Sequence, residues 1–394
     1  MKPRLLLIGH TYAALENRKK IQALAAHFEL VCVTSEIESR VILGRPASDF
    51  DNDSDAPGRA YELVRLPRTC VKDTAFAYPG LGVVMRRMKF DVILVENEPW
   101  AVICWQARLL AGWLQSSARF VVFTWENLVR PGVKGRILSV IYRASTLTTD
   151  GYIAGNKRAA EILVKHGAGK EKVLVAPQLG VDLANHHPVG EREKMRLRVV
   201  NGLPPDAFIA GYCGRLTEEK GMDELLRAGE TLAGEGMHLA LLGAGVMRER
   251  LEQLPARHEW MHLLPPRPHF DIPDFLRCLD VFVLASKPLI NRDNCWEEQF
   301  GHVLIEAMAC GVATLGSSSG AIPEVLGDER AVFEWGNAEA LTKRLRVMKN
   351  DAALRTELAR AQRGRVERHY THDAVAEHWA RFLTGLHAGK EMMP

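Results

Sequence analysis

Short apolar runs alternate along this chain with stretches whose apolar positions recur at helical spacing, and they do so in two successive series. The first reads RLLLIG, LVCVT, YELVRL, DVILVE, RFVVFTW, GYIAG and KVLVAPQ, with helical patterns over residues 18–27, 101–114 and 134–147. After the turn-rich stretch PQLGVDLANHHPVG a second series begins near Phe208: FIAGYC, HLALLGA, DVFVLAS and VATLGS, each followed by a helical pattern. Runs that are apolar throughout, rather than alternating, mark strands buried on both faces, and strands interleaved with helices predict parallel sheets covered on each side. The pattern therefore predicts an α/β chain of two Rossmann-like domains facing across a cleft, residues 1–185 and 186–370, with ligands beyond the carboxyl ends of the strands. The closing helical stretch, 352–387, is long for one helix.

Composition leaves this picture standing. A chain of 394 residues suggests two or three domains, each with its own core. Hydrophobic content of 47% and charged content of 25% are ordinary for a globular protein. No apolar run reaches the roughly 18 residues of a membrane span, and the opening MKPRLLLIGHTYAALENRKK has too short an apolar core for an export signal. A cytoplasmic protein is expected. The seven cysteines are scattered, odd in number and without a C-x-x-C pair, so reduced and mostly buried thiols are expected.

Charge changes the picture more. Residues 1–180 hold 25 Lys and Arg against 17 Asp and Glu, whereas the remainder holds 26 against 31. A basic first half suggests an anionic partner: a lipid diphosphate, an acidic glycan or the inner membrane surface. No nucleic-acid partner is expected. In RPGVKGRILSVIYRAS, Arg130, Lys134, Arg136 and Arg143 accompany Ile137, Leu138, Val140 and Ile141. This segment reads either as an amphipathic helix lying on a membrane or as a helix whose apolar side packs on the sheet. The alternating acids Asp49, Asp51, Asp53 and Asp55 have the look of metal ligands, but Ala56 stands where a calcium loop needs glycine. A solvated acidic loop is the simpler reading, and no metal is expected.

Two blocks carry chemistry. From Glu298 to Glu306 the chain reads EQFGHVLIE, two carboxylates eight positions apart. If a helix opens near His302, Gly301 occupies the turn ahead of it, Glu306 lies about one turn inside and Glu298 sits on the loop before. The free N–H groups of that helix start, near Phe300, Gly301, His302 and Val303, favour an anion such as a diphosphate. The carboxylates then suit the hydroxyl groups flanking it. The second block, CGRLTEEKG, follows the strand FIAGYC and puts Gly214, Arg215 and Lys220 on a strand-to-helix loop. An arginine fork and a lysine point charge there neutralise a diphosphate leaving group. Each block alone is also explained by solvated charges on a surface loop or helix; both in one half of the chain are harder to ascribe to chance.

GRLTEEKG, and E-x7-E followed by AMACG, resemble the donor-site signatures of glycosyltransferase family 4, retaining nucleotide-sugar enzymes of the GT-B fold. LLGAG, DVFVLAS and GAIPEVLGD match as well, and the resemblance runs from about residue 173 to the end. It implies an N-terminal acceptor domain, a C-terminal donor domain and a last helix, residues 371–394, packed back on the first domain. It implies that Glu306 holds the ribose hydroxyls, that Glu298 contacts the transferred sugar, and that Arg215 and Lys220 stabilise the leaving diphosphate, with no cofactor beyond the nucleotide sugar. The loop HLLPPRPHFDIP falls where the family lodges the base, which nominates Arg267 and His269.

The first half departs from the pattern. Relatives carry a glycine pair in the first strand-to-helix loop, where this chain has Gly9 followed by His10. Relatives also place a histidine after the strand that here runs into TWEN, so the acceptor-side contact passes to Glu126, Asn127 or His10. Blander roles stand beside these: helix capping for Glu126 or Asn127, a loop hydrogen bond for His10. Glu96 and Glu98 are weaker candidates. A glycan or lipid-linked acceptor in surface polysaccharide or glycolipid synthesis is what the resemblance implies. A sugar-nucleotide epimerase and a binding scaffold without turnover stand as alternatives.

Overall fold

The computed structural model describes residues 2–36, 41–42, 45–46, 58–70, 72, 74–254, 258–290 and 295–389. The acidic run from Asp49 to Asp55 lies outside them. The chain divides into two units, the first made of residues 1–180 with 372–394 and the second of residues 181–371.

Unit 1 is built on β1 (Arg4–Ile8), β2 (Glu29–Ser35), β3 (Tyr61–Leu66), β4 (Val92–Glu96), β5 (Arg119–Thr124), β6 (Gly151–Ala154) and β7 (Val173–Val175). All pairings are parallel, in the order β3-β2-β1-β4-β5-β6-β7. Successive strand residues point to opposite faces, so the apolar runs feed two cores. Leu6, Ile8, Ile93, Val95, Phe120 and Val122 pack on one side. Leu5, Leu7, Val92, Leu94, Val121 and Phe123 pack on the other. The second core is closed by Val375, Trp379, Phe382 and Leu383 from helix His372–His387, which lies against helix Arg18–Leu24.

Unit 2 repeats the architecture with β8 (Phe208–Cys213), β9 (Met237–Leu242), β10 (Met261–Leu264), β11 (Val281–Leu284), β12 (Ala313–Ser317) and β13 (Val332–Phe333). The order is β10-β9-β8-β11-β12-β13, again parallel. In both units the chain lays three strands in one direction and then crosses to the other side of the first. That reversal, β1 beside β4 and β8 beside β11, leaves a gap between the departing loops at the carboxyl edge, where ligands bind in open α/β sheets.

The long helical pattern at the end is two helices, Ala352–His369 in unit 2 and His372–His387 in unit 1. Within unit 2 the break lies beside the first residue of that unit: the Val181 N–H donates to the Tyr370 carbonyl at 2.7 Å, and Val181 bridges Thr371 in parallel. Helix Gly132–Thr148 buries only Tyr142 and Ser145. Of the apolar residues read as one side of this helix, Ile137 and Val140 are exposed, as are Val133 and Leu147, whereas Leu138 and Ile141 are half-buried. All seven cysteines are free, five of them buried.

Candidate active site

The carboxyl edge of unit 2 gathers both sequence blocks. Past β8 the chain turns at Gly214, and the Tyr212 hydroxyl donates to the Arg215 carbonyl at 2.8 Å. A short helical turn, Glu218–Lys220, ends at Gly221 with φ of 72°, where a Cβ would stand 2.1 Å from the Ala285 carbonyl oxygen. Only glycine lets this loop press so close to the end of β11. The approach carries Lys220 onto the other loop: its Nζ lies 2.5 Å from Glu298 Oε2, which also accepts from Ser286 Oγ at 2.7 Å. The Trp296 ring, on a two-stranded ribbon formed by Leu289–Ile290 and Cys295–Trp296, lies 4.5 Å from the same ammonium.

Glu298 is fixed through its backbone as well. Its carbonyl accepts from Ala321 N at 2.9 Å and sits 2.0 Å from where a Cβ on Gly320 would be. Gly301, at φ 75° and ψ 66°, then opens helix His302–Ala309 with no side-chain cap, so the first N–H groups of the helix have no such partner. Val303 follows His302 in its first turn. Phe300 is buried and packs edge-on against His302 and Tyr370, at 5.6 and 5.7 Å between ring centres.

One turn into the helix, Glu306 is buried and ion-paired to His269 Nε2 at 3.0 Å, with His302 Nδ1 at 4.0 Å. Burial pushes this carboxyl up, yet the positive charge of His269, helped by His186 and His302, holds it well below the usual carboxylate range. His269, nominated for the base, thus touches Glu306 directly. Arg267 lies near enough to Cys213 for its charge to act on that thiol. Arg215 is mostly exposed, with Nη2 3.4 Å from Glu219 Oε1. The structure brings together Lys220, Glu298, Gly301 and the helix start, and pairs Glu306 with the base-loop histidine.

The carboxyl edge of unit 1 is different. Gly9 is extended, and a Cβ there would meet the Tyr12 ring at 2.9 Å. His10 packs edge-on against Phe76 at 5.8 Å. Glu96, a candidate for the acceptor, is excluded from that role by its surroundings. Its carboxylate is fully buried and accepts from Lys20 Nζ at 2.9 Å, Tyr12 OH at 2.6 Å and Gln178 Nε2 at 2.7 Å. Trp379 covers Lys20 with its ring, 3.0 Å from the ammonium.

Glu126 and Asn127 are buried, and Glu126 Oε2 accepts from Arg130 Nη2 at 3.2 Å. Neither stands at the start of the next helix, Gly132–Thr148, whose N-cap residue is Pro131. Glu98 accepts from the Trp125 N–H at 3.0 Å and from the Thr124 hydroxyl. Burial and the neighbouring charge of Glu126 push Glu98 up to about 7.

Residues 193–365 match the family model described as glycosyl transferases group 1. The matched segment lies within unit 2 and contains both sequence blocks. Similar curated proteins include the D-inositol 3-phosphate glycosyltransferases of Streptomyces bingchenggensis, 31% identical over 193 residues, and Streptomyces avermitilis, 30% identical over 228 residues. These alignments cover 45% and 54% of this chain and 40% and 47% of the relatives, so the chain spans less than half of their length.

Among solved structures, sucrose-phosphate synthase from Thermosynechococcus elongatus superposes with a TM-score of 0.73 at 18% identity, covering 99% of this chain and 100% of that one. Anabaena HepE in complex with UDP and glucose superposes with a TM-score of 0.69 at 15% identity, covering 97% and 100%. The fold is thus GT-B, two parallel-sheet α/β units.

Several residues of the site were given no role by the sequence, Ser286 and Thr217 although they stand inside DVFVLAS and GRLTEEKG. Ser286 and Trp296 flank the Lys220–Glu298 pair, and the buried hydroxyls of Thr217 and Ser319 make no hydrogen bond. Lys287 steadies the lysine loop, its N–H donating to the Glu219 carbonyl at 2.9 Å and its Nζ lying 3.2 Å from Glu224 Oε1. Among the described residues no group of three or more His, Cys, Asp or Glu is placed to hold a metal. No helix there is long and apolar enough to cross a membrane.

Proposed function

We propose that this chain is a retaining glycosyltransferase that moves a sugar from a UDP- or GDP-linked donor to a hydroxyl of a glycan or lipid-linked acceptor, in surface polysaccharide or glycolipid synthesis. One observation carries the reading: a lysine, two carboxylates and an uncapped helix start converge beyond β8 and β11. Donor diphosphate takes the helix start and Lys220, with Arg215 free to swing onto it, and Glu306 and Glu298 accept from the ribose and sugar hydroxyls. In the reaction the bond from the anomeric carbon to the diphosphate oxygen breaks, and the phosphate leaves with the electron pair. The acceptor hydroxyl bonds to that carbon from the same face and gives its proton to the departing phosphate. Stabilising the leaving anion in a preorganised site is the largest contribution to rate. Its positive charge comes from Lys220, Arg215 and the helix start, so the reading needs no metal ion.

The curated relatives, named as glycosyltransferases, support glycosyl transfer, and the UDP and glucose held by HepE support a nucleotide-sugar donor. A thermal-shift screen with UDP- and GDP-sugars tests it. The right donor at one hundred times its dissociation constant stabilises by roughly 2.7 kcal/mol. Stabilisation by no nucleotide sugar sinks the reading, and product formed without any acceptor turns it into an epimerase.

The reading places the enzyme on the cytoplasmic membrane face. Helix Gly132–Thr148 carries exposed Val133, Ile137, Val140 and Leu147 beside exposed Lys134, Arg136 and Arg143, and it has no acidic residue. Apolar insertion plus attraction to anionic lipid follows from that pattern. Changing Lys134 and Arg136 to Glu should abolish flotation with anionic vesicles, whereas unchanged flotation removes the docking idea.

A further inference from the structure

The inner side of helix Gly132–Thr148 covers a cavity of about 290 Å³ in unit 1, between that helix and helix Lys157–Lys165. Its wall holds Arg130, Arg136, Lys165 and His166 against a single carboxylate, Glu126, which Arg130 already engages through Nη2. Arg130 Nε is buried and has no hydrogen-bond partner. The Tyr142 side chain, 4% exposed, also lines the cavity; its hydroxyl lies near Thr124 but makes no hydrogen bond. The Tyr142 ring stacks on His166 at 4.9 Å, and His166 Nδ1 is taken up by the Ile162 carbonyl at 2.7 Å. Gly135 makes the arrangement possible, because a Cβ there would stand 1.6 Å from the Arg130 carbonyl oxygen. The glycine lets the segment before the helix fold down and bring Arg130 into the wall.

Unsatisfied buried donors are costly, so this wall suits a partner that only accepts. The buried donors stand on an arginine and a tyrosine, and exposed Arg136 and Lys165 add two further cations to the lining, which suits a group with three terminal oxygens and more than one negative charge. The volume lies at the lower limit of ligand sites, about 300 Å³, which suits a small group. We propose that this cavity binds a phosphate monoester. In the transferase reading the occupant is the acceptor's phosphate, and that further assignment rests on the reading; the binding itself does not.

Isothermal titration of the full chain with glycerol 3-phosphate, and separately with dihexanoyl phosphatidic acid as a soluble lipid phosphate, tests the proposal. One-to-one saturable binding of at least one probe is expected. It should weaken by about tenfold or more in the Arg136→Gln, Lys165→Gln double variant and by about threefold in Tyr142→Phe, as charge-assisted and neutral hydrogen bonds respectively predict. Preference for glycerol 3-phosphate marks a free sugar-like phosphate as the source; preference for phosphatidic acid marks a lipid headgroup. Both variants keep the donor-induced thermal shift, which separates loss of this site from failure of the transferase reading. Absence of saturable binding of either probe, or wild-type affinity in both variants, overturns the proposal.

Discussion

Each unit places a lysine against a glutamate where its strand order reverses, yet the two pairs are opposites. In unit 1, Lys20 and Glu96 are wholly enclosed: Tyr12 and Gln178 complete the carboxylate, and Trp379 covers the ammonium. In unit 2, Lys220 and Glu298 keep about a tenth of their side-chain surface, beside an uncapped helix start and two buried hydroxyls without partners. The same topology thus serves once as scaffold and once as site. What separates them is whether every polar group has been satisfied from within. A closed network rigidifies, while an open one retains donors and acceptors for a ligand.

The sharpest way to break this comparison is to remove each lysine in turn. Lys20→Ala strands a buried carboxylate and should cost about 3–5 kcal/mol in chemical unfolding. Lys220→Ala should leave the unfolding midpoint near wild type while depressing turnover by about a hundredfold to a thousandfold, the usual loss of one preorganised donor to a developing anion. Arg215→Ala should act in the same direction on turnover. Near-normal turnover in both variants removes their role with the leaving group, and equal destabilisation by both lysine variants erases the contrast.

A smaller effect sharpens the description of the closed pair. Burial lowers Lys20 to about 8, although the Glu96 charge pulls the other way. The unfolded chain holds that proton up to roughly 10.4. Between those values unfolding takes up a proton, so raising the pH opposes unfolding. The cost of a charged Lys20 is fully present below its folded value and is relieved above it. Wild type should therefore gain stability relative to Lys20→Met as pH rises from about 8 toward 10. Parallel curves for the two proteins would show that Lys20 keeps its proton throughout.

Much of this was readable from the sequence, and the losses have physical causes. Strands buried on both faces announce themselves as unbroken apolar runs, and FIAGYC appears as β8 residue for residue. EQFGHVLIE placed Gly301 ahead of a helix because helix periodicity and glycine's left-handed backbone are local properties. The closed network was invisible: Lys20 stands in ENRKK, which reads as an ordinary charged helix start, and its partner is 76 residues away. The final helices ran together because no glycine or proline marks the break at Tyr370 and Thr371. Helix Gly132–Thr148 was recognised as amphipathic, but periodicity shows that a helix has two faces without telling which one the rest of the protein covers.

The return of helix His372–His387 to unit 1 sets an order of events during synthesis. Unit 2 is one unbroken span of chain and has all its strands once residue 371 has been translated. Unit 1, begun first, waits for the last helix to supply Val375, Trp379 and Phe382 to its second core. Until then an ammonium lies without its aromatic cover next to an open apolar face. The nascent chain thus carries its oldest domain unfinished past the completion of its younger one, which makes unit 1 the part that chaperones have reason to hold.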